Sequence, residues 1–289
     1  MIHRFENPDL ARGWCAEERG HGRTLGFVPT MGALHEGHLG LVRRAREEND
    51  RVCVSVFVNP LQFDDPGDYE RYRRDFEGDA GLLAEHGCDM AFTGTLEQFF
   101  PRSGGSLEAV ARVDPGPVAE GLEGTFRPGH FAGVATIVQR LFEVVRPTRA
   151  YFGAKDFQQT LVVAEVARRM DGPEIVVCPT SREASGLARA SRNEQLAPDQ
   201  RREAATLHRA LVAARERWRA GERSAAELAA AMGRVLEPAP LAVEYAEVRD
   251  PERWTATAPD APLERAVALV AAKLGRVRLI DNLRLDDAP

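Results

Sequence analysis

Two histidines three residues apart, His35 and His38, sit in the run Pro29-Thr30-Met31-Gly32-Ala33-Leu34-His35-Glu36-Gly37-His38. Imidazole is the side chain most able to give or take a proton near neutral pH. Gly32 and Gly37 let a ligand approach the backbone closely. A helix is expected to begin near His38, so its unpaired N–H groups and positive dipole end would face the same ligand. Paired imidazoles at such a helix start suit a polyphosphate. Competing chemistries fail on spacing. A zinc-protease helix needs histidines four residues apart with a Glu between them, and a Walker loop, Gly-x-x-x-x-Gly-Lys-Ser/Thr, occurs nowhere in the chain.

The elements that must hold this loop alternate along the first part of the chain. Residues 25–29 read as a buried strand and 38–48 as a helix. Residues 52–58, Val-Cys-Val-Ser-Val-Phe-Val, form a β-branched run expected to be the next strand. Residues 68–86 read as helix, 87–92 as strand, 130–145 as helix, 150–152 as strand, 154–170 as helix and 174–178 as strand. Such alternation predicts an α/β fold: a Rossmann-like parallel sheet with helices on both faces, binding ligands beyond the carboxyl ends of its strands. Composition changes after residue 179. Ala/Arg/Glu-rich helices at 201–218 and 224–236 precede Pro238 and Pro240, then short apolar runs at 241–248, 266–272 and 277–280. These predict a small C-terminal α+β domain over 181–289, following a nucleotide- and substrate-binding domain over 1–180.

Bulk properties narrow the function classes. The 289 residues are 44% hydrophobic and 28% charged, which is ordinary globular composition. A net charge of −6 gives no counterion-release drive toward nucleic acid, so no nucleic-acid partner is expected. No apolar run is long enough to span a bilayer, and residues 1–10 lack the apolar core of a secretory signal, so a cytoplasmic protein with no membrane partner is expected. Cys15, Cys53, Cys88 and Cys178 lack paired spacing and read as buried free thiols.

The loop, read with the motifs that follow it, resembles the pantoate–β-alanine ligase family of the His-x-Gly-His nucleotidyltransferases. The resemblance continues through Phe57-Val58-Asn59-Pro60-Leu61-Gln62-Phe63, Arg127-Pro128-Gly129-His130-Phe131-Ala132-Gly133-Val134 and Tyr151-Phe152-Gly153-Ala154-Lys155-Asp156-Phe157-Gln158-Gln159. It resumes over residues 179–196, 243–251 and Arg278-Leu279-Ile280-Asp281-Asn282. It implies joining of pantoate to β-alanine with Mg-ATP through an acyl adenylate, with no tightly bound cofactor and no protein-held metal site. A homodimer, with the C-terminal domain closing over the active site, is also implied.

The resemblance also assigns residues. His38, His35, Lys155, Ser191 and Arg192 would be catalytic, with His38 donating a proton. ATP would be held by Met31, Gly32, Ala33, Leu34, His35, Glu36, Gly37 and His38. Gly153, Ala154, Lys155, Asp156, Ser181, Arg189, Ala190, Ser191 and Arg192 would complete its site, Gly153 and Asp156 at the ribose. Pro29, Thr30, Met31, Asn59, Gln62 and Gln159 would hold pantoate and β-alanine, the Gln amides meeting the pantoate hydroxyls and carboxylate. Arg127 and His130 are open between lining the site and anchoring the start of a helix. The acidic stretch Asp64, Asp65, Asp68 and Glu70 reads as a solvated loop.

Five positions depart from the family pattern. Where it reads Asp-Gly-Leu-Ala-Met-Ser-Ser-Arg-Asn, this chain has Ser185-Gly186-Leu187-Ala188-Arg189-Ala190-Ser191-Arg192-Asn193, with Ser185, Arg189 and Ala190 altered. Ala154 replaces a Glu and Arg73 a Pro. The losses at Ser185 and Ala190 leave two alternatives open: a ligase of this fold acting on another carboxylate or amine, and a nucleotide-binding paralogue without catalysis. A nucleotidyltransferase acting on a phosphate would share the histidine loop but is not expected to carry the Asn59–Gln62 motif.

Overall fold

The computed structural model describes residues 2–287. The chain divides into two compact units: residues up to Ala119 with Arg127–Gly153 and Gln158–Cys178, and Glu120–Phe126 with Ala154–Phe157 and everything from Pro179 onward.

In the first unit β1 (His3–Phe5) and α1 (Pro8–Gly20) precede β2 (Leu25–Thr30), α2 (Glu36–Glu48) and β3 (Arg51–Val56). Then come α3 (Pro66–Arg71), α4 (Phe76–Glu85), β4 (Met90–Phe92) and α5 (Leu96–Phe99). A short α6 (Glu123–Phe126), which belongs to the second unit, precedes α7 (His130–Val145), β5 (Arg149–Gly153), α8 (Phe157–Arg169) and β6 (Glu174–Cys178).

The six strands form one sheet in the order β1-β4-β3-β2-β5-β6, every pair parallel. Period-two alternation sends Phe27, Cys53, Met90, Phe92 and Phe152 to one face, packed against α1, α7 and α8. Val28, Val54, Val56, Ala91 and Tyr151 go to the other, against α2 and α4. The order reverses direction at β2, whose neighbours are β3 and β5, so the loop leaving β2 sits at the topological switch point.

The second unit has α9 (Pro198–Ala204), α10 (Thr206–Arg219) and α11 (Ala225–Leu236). These are followed by the antiparallel sheet β7 (Ala242–Arg249), β8 (Val267–Leu274) and β9 (Val277–Arg284). Its core joins Leu207, Leu211, Leu228 and Met232 of the helices to Val248, Ala268 and Val270 of the strands.

The expected fold class is the observed one; several boundaries move. The second helix starts at Glu36, two residues early, because His35 caps it. The expected helix 68–86 is two helices, since Asp65 and Asp75 each cap a separate start by accepting from Gly67 and Gly78. Strand 87–92 shortens to Met90–Phe92, behind a turn at Gly87 with φ +83°. Residues 154–156 form a 3-10 turn before α8, and 201–218 is interrupted at Ala205. The strand ending at 58 stops at Val56, and β9 runs on to Arg284. All four cysteines are buried and free.

Candidate active site

His35 closes the loop from β2 as the N-cap of α2. Its Nδ1 accepts the Gly37 N–H at 3.1 Å, while His38 Nδ1 accepts the His35 N–H at 3.4 Å. This reciprocal pair is a capping box built from imidazoles. It also sets the tautomer: an Nδ1 that accepts carries no proton, so each neutral ring holds its hydrogen on Nε2. The rings lie 4.1 Å apart between centroids. The loop therefore carries two Nε2–H groups on adjacent rings, a chemistry that suits two oxygens of a polyphosphate.

Upstream, Thr30 spends its hydroxyl on the Ser55 carbonyl at 2.7 Å. Gly32 and Ala33 both have positive φ, +82° and +50°. The second is costly for a residue with a Cβ. Asp79 of α4, 4% exposed, accepts the Ala33 N–H at 3.0 Å and the Leu34 N–H at 3.1 Å. Burial pushes the Asp79 carboxyl above its ordinary value, against the pull of these two bonds. Glu36 is exposed and paired with Arg43.

The Asn59–Gln62 segment, leaving β3, is fixed by a chain of amides. Asn59 is 1% exposed; its Oδ1 accepts the Leu61 N–H at 3.2 Å. Its amide nitrogen donates to the Gly133 carbonyl at 3.2 Å and to Gln62 Oε1 at 2.8 Å. Gln62 must then point its own NH2 outward, where it meets Met31 Sδ at 3.1 Å. Asn59 thus stands behind Gln62, and Gln62 offers a donor.

Arg127 and His130 are bonded to each other and to the segment that carries Gln62. The His130 ring accepts at Nε2 from Arg127 (3.2 Å) and donates from Nδ1 to the Gln62 carbonyl (2.8 Å), the tautomer opposite to that of the loop histidines. Arg127 also binds Asp64 at 3.1 Å. Burial is the largest single influence on the Asp64 carboxyl and raises it, but the Arg127 charge, the hydrogen bonds it receives and the nearby His130 together outweigh burial, and the net shift is downward. Gly133 is required here because a Cβ would overlap the Leu61 carbonyl. Pro29 and Gln159 are half-buried, whereas Gln158 is buried and donates to the Val118 carbonyl at 3.1 Å.

In the second unit, Asn282 donates to the carbonyls of both Ala154 (2.8 Å) and Lys155 (2.7 Å), fixing the turn that carries Lys155 and Asp156. Lys155 Nζ lies 3.5 Å from Asp156. Asp281, 4% exposed, takes two bonds from Arg182, at 2.6 and 3.0 Å. This ties β9 to the segment running from Ser181, which folds back on itself through a bridge between Arg182 and Ala188. Arg189 donates its N–H to the Ser181 carbonyl at 2.9 Å, and Ser191 and Arg192 open the 3-10 helix Ser191–Gln195 after Ala190. Gly153, Ala154, Ser181, Arg189, Ala190, Ser191 and Arg192 are all half-buried.

Sequence reasoning passed over Asp79 and gave no role to Asn282. Asn282 lay inside a quoted motif. Asp79 carried only one signal, an acidic residue among the apolar positions of an amphipathic helix.

The family model described as pantoate-beta-alanine ligase matches residues 3–284. A pantothenate synthetase of Rubrobacter xylanophilus is 50% identical over 283 residues, 96% of this chain and 95% of that protein. One from Gluconobacter oxydans is 49% identical over 264 residues, covering 91% and 94%. Among solved structures, pantothenate synthetase from Thermus thermophilus is similar at a TM-score of 0.88 and 44% identity, covering 98% of this chain and 99% of that one. The Francisella tularensis pantoate-beta-alanine ligase, complexed with beta-gamma ATP and beta-alanine, gives 0.78 and 30%, covering 100% and 99%.

Proposed function

The chain belongs to the pantoate–β-alanine ligase family and is an ATP-dependent ligase of pantoate and β-alanine; we propose that it works in two half-reactions through a pantoyl adenylate. In the first, a pantoate carboxylate oxygen attacks the α-phosphorus of ATP, and the bond to pyrophosphate breaks. In the second, the neutral amine of β-alanine attacks the acyl carbon, AMP leaves with the bonding pair, and the amine loses a proton. A carboxylate is a poor acyl donor until one oxygen departs with AMP, so the protein's task is positioning and charge stabilisation.

The observation that carries this reading is the pair of imidazoles whose Nδ1 atoms each accept a loop N–H, which leaves Nε2 as the donor of each neutral ring. His35 and His38 meet the phosphates as charge moves onto pyrophosphate, with His38 as proton donor. Lys155, Ser191 and Arg192 add positive charge and donors to the same phosphates, Gly153 and Asp156 hold the ribose, and Ser181, Arg189 and Ala190 line the nucleotide. Gln62 donates to pantoate, with Gln159, Pro29, Thr30 and Met31 around it. Mg2+ enters on the ATP phosphates as part of the substrate.

The working form is a homodimer in the cytoplasm. The edge strand β6, with Val177 48% exposed, supports the first, and four buried thiols with no disulfide among them, as is usual in a reducing compartment, support the second. A monomer mass by light scattering at micromolar concentration would refute the dimer.

The test is ATP–pyrophosphate exchange with Mg2+ and no amine. Exchange that depends on pantoate is expected. Exchange supported only by another acid, or by none while ATP still binds, would overturn the assignment and move the Ser185–Ala190 differences to the centre of the question.

A further inference from the structure

The loop between β2 and α2 adopts a conformation its own residues disfavour. Gly32 and Ala33 are consecutive with φ of +82° and +50°. For Ala33 the left-handed region is disfavoured, because its Cβ crowds the following carbonyl oxygen. Something outside the loop must hold it there, and among the described residues one side chain bonds two successive loop amides. Asp79 Oδ2 receives the Ala33 N–H and Asp79 Oδ1 the Leu34 N–H, at 3.0 and 3.1 Å. The fit leaves no slack on the other side, since a Cβ on Gly32 would lie 2.8 Å from Asp79 Oδ2 and 3.1 Å from Val56 Cγ1. Asp79 itself is fixed in the first turns of α4, its N–H bonded to the carbonyl of the N-cap Asp75 at 3.0 Å.

We infer that Asp79 is a positioning residue for ATP, a buried carboxylate that clamps Ala33 and Leu34 so that His35 arrives at the N-cap of α2 with both loop imidazoles aimed as donors. The inference rests on the assignment of the Gly32–His38 loop to the nucleotide. With their N–H groups turned to Asp79, Ala33 and Leu34 shape the nucleotide site, while the donors for phosphate come from the rings of His35 and His38.

A stabilising role predicts something different. Burying a carboxylate is unfavourable for its charged form, and the upward shift of the Asp79 carboxyl means that ionisation costs more in the folded chain than in the unfolded one. The charged groups facing it, Arg73 and Asp75, act in opposite directions. A folded-state value above the unfolded one gives a contribution to stability that is present below the unfolded value and lost as pH rises through the folded one. At neutral pH an uncharged side chain of the same shape is relieved of that ionisation cost, while holding the loop less well. Asn is that side chain: one oxygen can accept, but its NH2 opposes the second loop N–H.

The experiment measures Asp79→Asn and Asp79→Ala beside His38→Ala, using the full chain. Readouts are the KM for ATP and for pantoate in pyrophosphate exchange, and the melting temperature. For Asp79→Asn we expect the KM for ATP to rise about tenfold or more, the KM for pantoate to change less than twofold, and the melting temperature to be no lower than that of the parent. Asp79→Ala should show the same split between the two KM values. An unchanged KM for ATP in both variants overturns the inference. So does a variant that fails to fold, or one in which both KM values and the melting temperature worsen together, because Asp79 would then be structural. If His38→Ala exchanges normally, the nucleotide assignment of the loop fails and the inference falls with it. If His38→Ala loses exchange while Asp79→Asn is normal, only the inference falls.

Discussion

At Asn59 a single amide decides how Gln62 is presented. Its oxygen is committed to the Leu61 N–H, so its nitrogen must face Gly133 and Gln62, and Gln62 in turn must show a donor. Asn59→Asp removes that nitrogen and sets a carboxylate oxygen against Gln62 Oε1, which forces the Gln62 amide to flip or withdraw. We expect the KM for pantoate to rise about 5- to 30-fold, from the loss of one or two hydrogen bonds at about 1 kcal/mol each, with the KM for ATP little changed. Steady-state kinetics with each substrate varied in turn checks this, and equal effects on both would contradict it. The types and spacing of these residues were legible in the chain: His35, His38, Asn59 and Gln62 stand in motifs that name their chemistry. The division of labour was not. Asn59 reads as a ligand in sequence because nothing there reveals that it is 1% exposed, and nothing in the sequence around Arg127 and His130 reveals their bonds to Gln62 and Asp64.

The same logic operates one level up, where elements distant in sequence hold the turns that carry charge. Asn282 on β9 donates to two successive carbonyls of the Ala154–Lys155 turn, and its neighbour Asp281 grips Arg182. Asn282→Asp keeps the size and replaces the donor with an oxygen that repels both carbonyls, so the turn is released. We expect the KM for ATP to rise about tenfold, equivalent to about 1.4 kcal/mol. Asn282→Ala should cost less than Asn282→Asp, since it removes the bonds without adding repulsion. A larger loss in the Ala variant would contradict the account. Helices and strands with strong periodicity were readable: α7 and β6 run where the pattern put them. Local caps explain where the reading failed. Asp75 starts a new helix inside a stretch whose apolar spacing alone looks continuous, and Asn7, which caps α1 ahead of Pro8, marks a helix the polar N-terminal residues hid.

For the whole molecule, sheet order explains why one loop carries so much of the chemistry. The strand order turns back at β2, which leaves a crevice at its carboxyl end where no crossover covers the loop. Strand alternation was visible in sequence, but the order β1-β4-β3-β2-β5-β6 was not, because register and neighbour choice depend on packing between distant segments. Within that frame the differences at Ser185, Arg189 and Ala190 fall on a segment whose fold is set by Arg182, Asp281 and the bridge to Ala188, none of which is among the departures. Adenylate chemistry is therefore expected to survive them.

The direct test follows oxygen. Pantoate labelled with 18O in both carboxylate positions is turned over with ATP and β-alanine in unlabelled water, and the products are weighed by mass spectrometry. Attack of the carboxylate on the α-phosphorus predicts one labelled oxygen in AMP and one in the amide carbonyl of the product. Label in orthophosphate, or AMP without label, would contradict a pantoyl adenylate and with it the roles given to His35 and His38.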